Sequence, residues 1–272
     1  MDKKIMMAKL FRDAKDDLML FRRVFLPVED EVKTPSFQEE WGKILLKGRH
    51  HYAVEGFRES GKSGVVLRAF PMHCLTYPSK SRQYVVFIMA TQRAASKRLK
   101  EIEDEWLNNE LLSMNLVRIV EQSQNGFEVI VKDENDEEMW VRFEAYGKGA
   151  AIRGLNVHDA RPSIVLIDDP QDLEDAKSDT VQEGDWEWFL SDVLFLGKKT
   201  RIFMIGNNLG EKCLIERVIE NQKDLKFAGV RIPILDAEGN SVWPERWSSE
   251  EIKAEREAFR RIGNLDVWER EK

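Results

Sequence analysis

The segment Gly56-Phe57-Arg58-Glu59-Ser60-Gly61-Lys62-Ser63 fits the pattern G-x-x-x-x-G-K-[ST] at every fixed position. No other stretch constrains the fold as strongly, because such a loop works only between a strand and a helix. Small residues let backbone N–H groups turn inward around a phosphate, the lysine reaches the β- and γ-phosphates, and the last hydroxyl can ligate Mg²⁺. The flanks agree. His51-Tyr52-Ala53-Val54 reads as a strand entering the loop, and Gly64 to Phe70 reads as a helix leaving it, fading near Tyr77-Pro78. That helix offers its N-terminal dipole and free N–H groups to an anion.

The rest of the chain alternates in the same way. Tyr84 to Ala90, Ser163 to Ile167 and Arg201 to Ile205 are continuous apolar runs, as expected of strands buried on both faces of a parallel sheet. Helical patterns cover 92–112, 180–196, 211–220 and 249–262, and a last strand is expected at 230–232. Between 116 and 146 the pattern changes to short strand candidates, Val117–Val120, Phe127–Val131 and Met139–Tyr146, separated by turn sequences. They predict a meander or insert at the sheet edge. Upstream, residues 4–25 carry apolar side chains at i, i+3/i+4 spacing and predict one amphipathic helix. An acidic linker from Val28 to Thr34 follows. A second helix then runs to about Leu46, with Ser36 as its N-cap. Strands alternating with helices imply a parallel sheet covered on both faces. The expected fold is a three-layer α/β/α P-loop NTPase of the ASCE type, with a mainly parallel sheet. The expected division is residues 1–34 as helix and linker, 35–240 as the ATPase core and 241–272 as a helical segment.

Composition narrows the partners. A length of 272 residues is one large domain or two small ones. No stretch of about 18 apolar residues occurs, and the N-terminus lacks the apolar core and small-residue cleavage site of a secretion signal. Cys74 and Cys213 lie far apart in apolar patterns and read as reduced, buried thiols. The four histidines have no partner at metal-ligand spacing, which argues against structural zinc. A net charge of −7 excludes a wholly basic nucleic-acid-binding module, but not a motor that touches nucleic acid through a local patch.

The chemistry is expected at the strand tips. Ile164-Val165-Leu166-Ile167-Asp168-Asp169 is an apolar strand ending in two acids. Such a strand is expected beside the loop strand, with Asp168 holding the Mg²⁺ and Asp169 orienting the attacking water. Glu174 or Asp172 could serve in place of Asp169, whose side chain is one methylene shorter than the usual Glu. Arg58, inside the loop, could reach the γ-phosphate or pair with an acid such as Glu59. Asn207 and Asn208 follow the next strand, where an amide could sense hydrolysis or cap a turn. Gln38 could read an adenine edge through its amide. Gln92, Arg93, Lys97, Arg98 and Lys100 open the helix after the second strand; they read as a solvated face with internal ion pairs, or as a phosphate-backbone contact.

In this order these pieces resemble the ATPase domain of the large terminase subunit, the DNA-packaging motor of tailed phages. The resemblance rests on Gln38, the loop with its arginine, Ala90-Thr91-Gln92-Arg93-Ala94-Ala95, Ala151-Ile152-Arg153-Gly154, and Arg161-Pro162 joined to the strand ending Asp168-Asp169-Pro170. It implies ATP hydrolysis with Mg²⁺. Nucleotide contacts would come from Gln38, Gly56, Arg58, Glu59, Ser60, Gly61, Lys62, Ser63 and Gly64. Ser63 and Asp168 would hold the metal. Catalysis would fall to Lys62, Asp169, Arg58 and Arg153, the last as a finger acting on a neighbour's nucleotide. Asn207, after Gly206, would couple hydrolysis to movement. The implied partners are double-stranded DNA, a portal, a small terminase subunit and further copies in a pentameric ring, in the host cytoplasm at the procapsid. The resemblance also implies a metal-dependent nuclease domain, for which no room is left after Gly239, so an isolated ATPase domain is expected. A helicase-like ATPase and a nucleotide-binding module with little hydrolysis are the alternatives.

Overall fold

A computed structural model describes residues 3–26, 32–48 and 50–272. Its centre is an eight-stranded sheet in the order β3-β4-β5-β2-β6-β7-β1-β8. The strands are β1 (His51–Gly56), β2 (Tyr84–Met89), β3 (Leu116–Gln122), β4 (Gly126–Lys132), β5 (Glu138–Gly147), β6 (Ile164–Asp168), β7 (Arg201–Gly206) and β8 (Phe227–Ile232). From β5 to β8 every neighbour is parallel, and β3-β4-β5 form an antiparallel meander at one edge. The inner parallel strands β2, β6 and β7 are buried on both faces, as their unbroken apolar runs require, while the edge strand β8 is largely half-buried or exposed. One apolar cluster lies under the N-terminal helices and the phosphate-loop helix. A second lies on the opposite face, under Trp188, Phe189 and the helix Leu214–Glu220.

Several expectations need correction. The acid-tipped β6 does not lie beside the loop strand β1, because β7 is inserted between them. The stretch 4–25 forms two helices, Lys3–Ala14 and Leu18–Phe25. The break is chemical: the Asp17 carboxylate accepts from the Met19 and Leu20 N–H groups, both at 3.0 Å, and so starts a new helix. Ser36 is the first residue of its helix, and Pro35 takes the cap position with no side-chain bond. The helix Gln92–Asn108 stops short of 112 because the Asn109 side chain turns back onto the Leu111 and Leu112 N–H groups. The helix expected from 211 begins at Leu214. Residues 28–31 of the expected acidic linker lie outside the described residues.

The N-terminal helices are tied to the core by a buried neutral histidine. His73 Nε2 donates to the Lys15 carbonyl at 3.0 Å while Nδ1 accepts from Arg82 at 3.2 Å. Burial drives its pKa down to about 3, so the ring stays uncharged. Cys74 and Cys213 are both buried free thiols.

A third cluster joins the phosphate loop to the C-terminal segment. Phe57, the second residue of the loop, is 3% exposed and packs with Ile234, Trp243, Ile252 and Trp268. Ile252 belongs to the helix Ser249–Arg261 and Trp268 to the C-terminal helix Leu265–Glu271.

Candidate functional site: a phosphate cleft at the carboxyl edge of the sheet

Because β1, β6 and β7 are parallel, their carboxyl ends lie along one edge. Glu55 pairs with Gly206, and Asp168 pairs with Ile205. The register therefore brings the phosphate loop, the paired acids and Asn207 together, at the edge where open α/β sheets bind ligands. The loop, Asp169 and Asn207 line a cleft of about 740 Å³ together with Asp172, Glu174 and Glu271, with Asp168 buried against Ser63.

The loop has the backbone that a cradle needs. Glu59 and Gly61 both take positive φ, 66° and 83°. A Cβ on Gly61 would stand 2.5 Å from the Gln38 Nε2, so glycine is required there for conformation and for space. Lys62 is 6% exposed and folds over the loop. Its Nζ donates to the carbonyls of Gly56 at 2.6 Å and Phe57 at 3.1 Å, and to Asn207 Oδ1 at 2.7 Å. Burial lowers its pKa, while Asp169 and Asp168 pull it back up.

Asp168 is almost wholly enclosed. Its Oδ2 accepts from the Ser63 hydroxyl at 2.9 Å, and its Oδ1 is buried without any hydrogen-bond partner. Burial first, and the Asp169 charge second, push its pKa up to about 7. A divalent cation would relieve this arrangement. A hydroxyl and a carboxylate are hard oxygen donors, and Mg²⁺ commonly takes one or two such protein ligands beside waters and phosphate oxygens. The residues present fit that ion. Asp169 sits at the cleft surface with a φ of 38°, and its Oδ1 accepts the Asn207 N–H at 3.1 Å. Protein packed around it raises its pKa, and Lys62 opposes the rise.

The structure separates residues that the sequence leaves together. Asn207 faces the cleft, whereas Asn208 closes a turn, accepting the Gly210 N–H at 2.8 Å and donating to Glu216 at 3.2 Å. Asp172 caps its own turn through the Glu174 and Asp175 N–H groups, and Glu174 pairs with Lys177 at 2.8 Å. Gln38 is fully buried behind the loop, donating to the Ser60 carbonyl at 2.7 Å and accepting from Arg22 at 3.0 Å. In this arrangement its amide holds the loop. Arg58 is largely exposed and reaches Glu271 Oε2 at 3.5 Å. Arg153 is exposed on a turn anchored by buried Ile152 and does not line the cleft. On the helix Gln92–Asn108, Lys97, Arg98 and Lys100 pair with Glu101, Glu103 and Asp104 at 2.8–3.8 Å.

Glu271 has no counterpart in the sequence reading. Its backbone carbonyl accepts the Arg58 N–H at 2.7 Å and its carboxylate meets Asn207 Nδ2 at 3.4 Å. No spacing rule links it to a loop more than 200 residues upstream.

No protein-family profile and no curated protein matches this sequence. Solved structures do match. The large terminase ATPase domain of Thermus phage P74-26 superposes with a TM-score of 0.53 at 13% identity, over 87% of this chain and 90% of that one. The large terminase of bacteriophage HK97 superposes with a TM-score of 0.57 at 13% identity, over 94% of this chain and 54% of that one. The fold is that of a large-terminase ATPase domain. This chain spans about half the length of the HK97 protein.

Proposed function

We propose that this chain is the ATP-hydrolysing motor domain of a phage large terminase, acting on double-stranded DNA. The supporting observation is the meeting of Lys62, Ser63, Asp168 and Asn207 at one sheet edge, on a fold shared with terminase ATPase domains. When bound, Mg²⁺ supplies charge neutralisation across the β- and γ-phosphates, and Ser63 and Asp168 would hold it. Lys62 exchanges the Gly56 and Phe57 carbonyls for phosphate oxygens, and the loop N–H groups take the remaining ones. Arg58 adds positive charge at the γ-phosphate, and a carboxylate facing the cleft orients the attacking water. Asp169 is the residue that sequence reasoning assigns to the water. Asn207 changes partner as Lys62 moves, which fits a coupling role. Arg153, exposed and outside its own cleft, fits a finger that reaches a neighbouring subunit's nucleotide. That reading calls for a ring of copies, with the portal and small terminase subunit as further partners in the host cytoplasm.

Mg²⁺-dependent phosphate release from ATP tests the site. Lys62→Ala is expected to reduce it by at least about 10²-fold, the scale of one lost electrostatic contact to the transition state. Turnover retained in that variant would overturn the assignment.

A further inference from the structure

The C-terminal helix Leu265–Glu271 enters the cleft at the end where hydrolysis would occur. Asn207 is the joint. Its Oδ1 accepts from Lys62 Nζ at 2.7 Å, its Nδ2 meets Glu271 Oε2 at 3.4 Å, and its N–H donates to Asp169 Oδ1 at 3.1 Å. One amide therefore spans the lysine that finds the γ-phosphate and the Glu271 carboxylate. The far side of Glu271 is fixed as well. Its backbone carbonyl takes the Arg58 N–H, Arg58 Nη1 lies 3.5 Å from its side chain, and Trp268 anchors the helix in the cluster around Phe57.

The two carboxylates at this end are not equivalent. Asp169 is short, holds a left-handed backbone, and already spends Oδ1 on the Asn207 N–H. Glu271 is one methylene longer, comes from a separate element, and its carboxylate meets only the side-chain donors Arg58 and Asn207, at the long distances of 3.5 and 3.4 Å. We propose that Glu271 is the catalytic residue that orients the attacking water, supplied by the C-terminal helix and not by the strand tip. The inference rests on the ATPase reading above. In the step itself, the water oxygen bonds to the γ-phosphorus as the bond from that phosphorus to the β–γ bridging oxygen breaks. The bridging electron pair leaves on ADP. One water proton passes to Glu271 and on to solvent, and the other stays on the released phosphate.

The test separates binding from turnover. Glu271→Gln keeps the size and the hydrogen-bonding oxygen but loses the charge. It is expected to bind a fluorescent ATP analogue within threefold of wild type while kcat falls by about 10²-fold or more, the usual weight of a general base. Glu271→Asp should recover part of that loss, and Asp169→Asn should lose less than Glu271→Gln. Glu271→Gln turnover within threefold of wild type would overturn the proposal, as would a larger loss in Asp169→Asn. Equal losses of affinity and turnover in Glu271→Gln would reduce Glu271 to a structural contact and overturn it too. If Glu271→Gln has no cooperative thermal transition, Glu271→Asp decides: reduced kcat at wild-type affinity supports the proposal, and wild-type kcat overturns it. Absence of Mg²⁺-dependent hydrolysis in the wild-type chain would instead remove the ATPase reading, and this inference with it.

Discussion

Two regions of the molecule treat their buried carboxylates in opposite ways. At the meander edge, Arg142 on β5 stands among Glu121, Glu128 and Glu144 at 2.6–2.9 Å. The other oxygens are met as well: Tyr84 and Tyr146 donate to Glu144 Oε2 at 2.6 and 3.0 Å, and His158 meets Glu128 Oε1 at 2.9 Å. Burial works against the Arg142 charge, yet hydrogen bonds to Glu121, Glu144 and Glu128 hold its pKa above the usual value. At the phosphate cleft, Asp168 has one hydroxyl partner, one bare oxygen and a neighbouring acid. A buried charge that is fully paired is scaffold, and one left short is poised for a ligand. The same residue types thus mark a hinge of stability in one region and a site in the other.

That contrast can be broken by mutation. Arg142→Met should be the most damaging change, since it strands buried carboxylates; a loss of roughly 3–5 kcal/mol is expected from denaturant unfolding. An unchanged midpoint would mean that the network contributes nothing. Asp168→Asn should move the other way in stability while abolishing hydrolysis. The folded-state pKa of Asp168 lies above its ordinary 3.8, near 7. The folded chain therefore holds a proton that the unfolded chain releases, and stability falls as pH rises from about 4 through 7. Without nucleotide or divalent cation, the melting temperature of Asp168→Asn should exceed that of wild type, by more at pH 8 than at pH 5. A variant that melts lower at both pH values would contradict the strain assigned to Asp168. Tyr84→Phe removes one donor from Glu144 and should cost about 1–2 kcal/mol, with turnover per folded molecule preserved. A selective loss of turnover would blur the division between the two regions.

How far the sequence carried each region follows from the range of the forces involved. The phosphate loop, β6 with its acids and the meander strands are set by local pattern, and they appear within a few residues of expectation. The order of β6, β7 and β1 is not local. Nothing in an apolar run such as Arg201 to Ile205 states which neighbours it will choose, so β7 between the acid and loop strands was invisible. The break at Asp17 was legible in principle, because an aspartate before Leu18-Met19-Leu20 is a capping residue. The apolar spacing continues across it and masks it. The position of Gln38 behind the loop depends on packing against Ser60 and Arg22, and Glu271 depends on a chain return over 213 residues. Of the acids lining the cleft, Asp169, Asp172 and Glu174 are legible along the chain and Glu271 is placed by tertiary structure alone, while the glycine and lysine side is written in eight consecutive residues.

Phe57 gives the cleft a consequence of another kind. It belongs to the phosphate loop, yet its ring is wedged into the cluster that holds Trp243 and Trp268. The indole N–H of Trp243 is fixed to the Lys33 carbonyl at 2.9 Å and that of Trp268 to Glu255 at 3.2 Å. Indole emission responds to small changes in local field and packing, so a shift of the loop around an anion is expected to register in the chain's own fluorescence. On the proposed function, that emission would report nucleotide state with no label required.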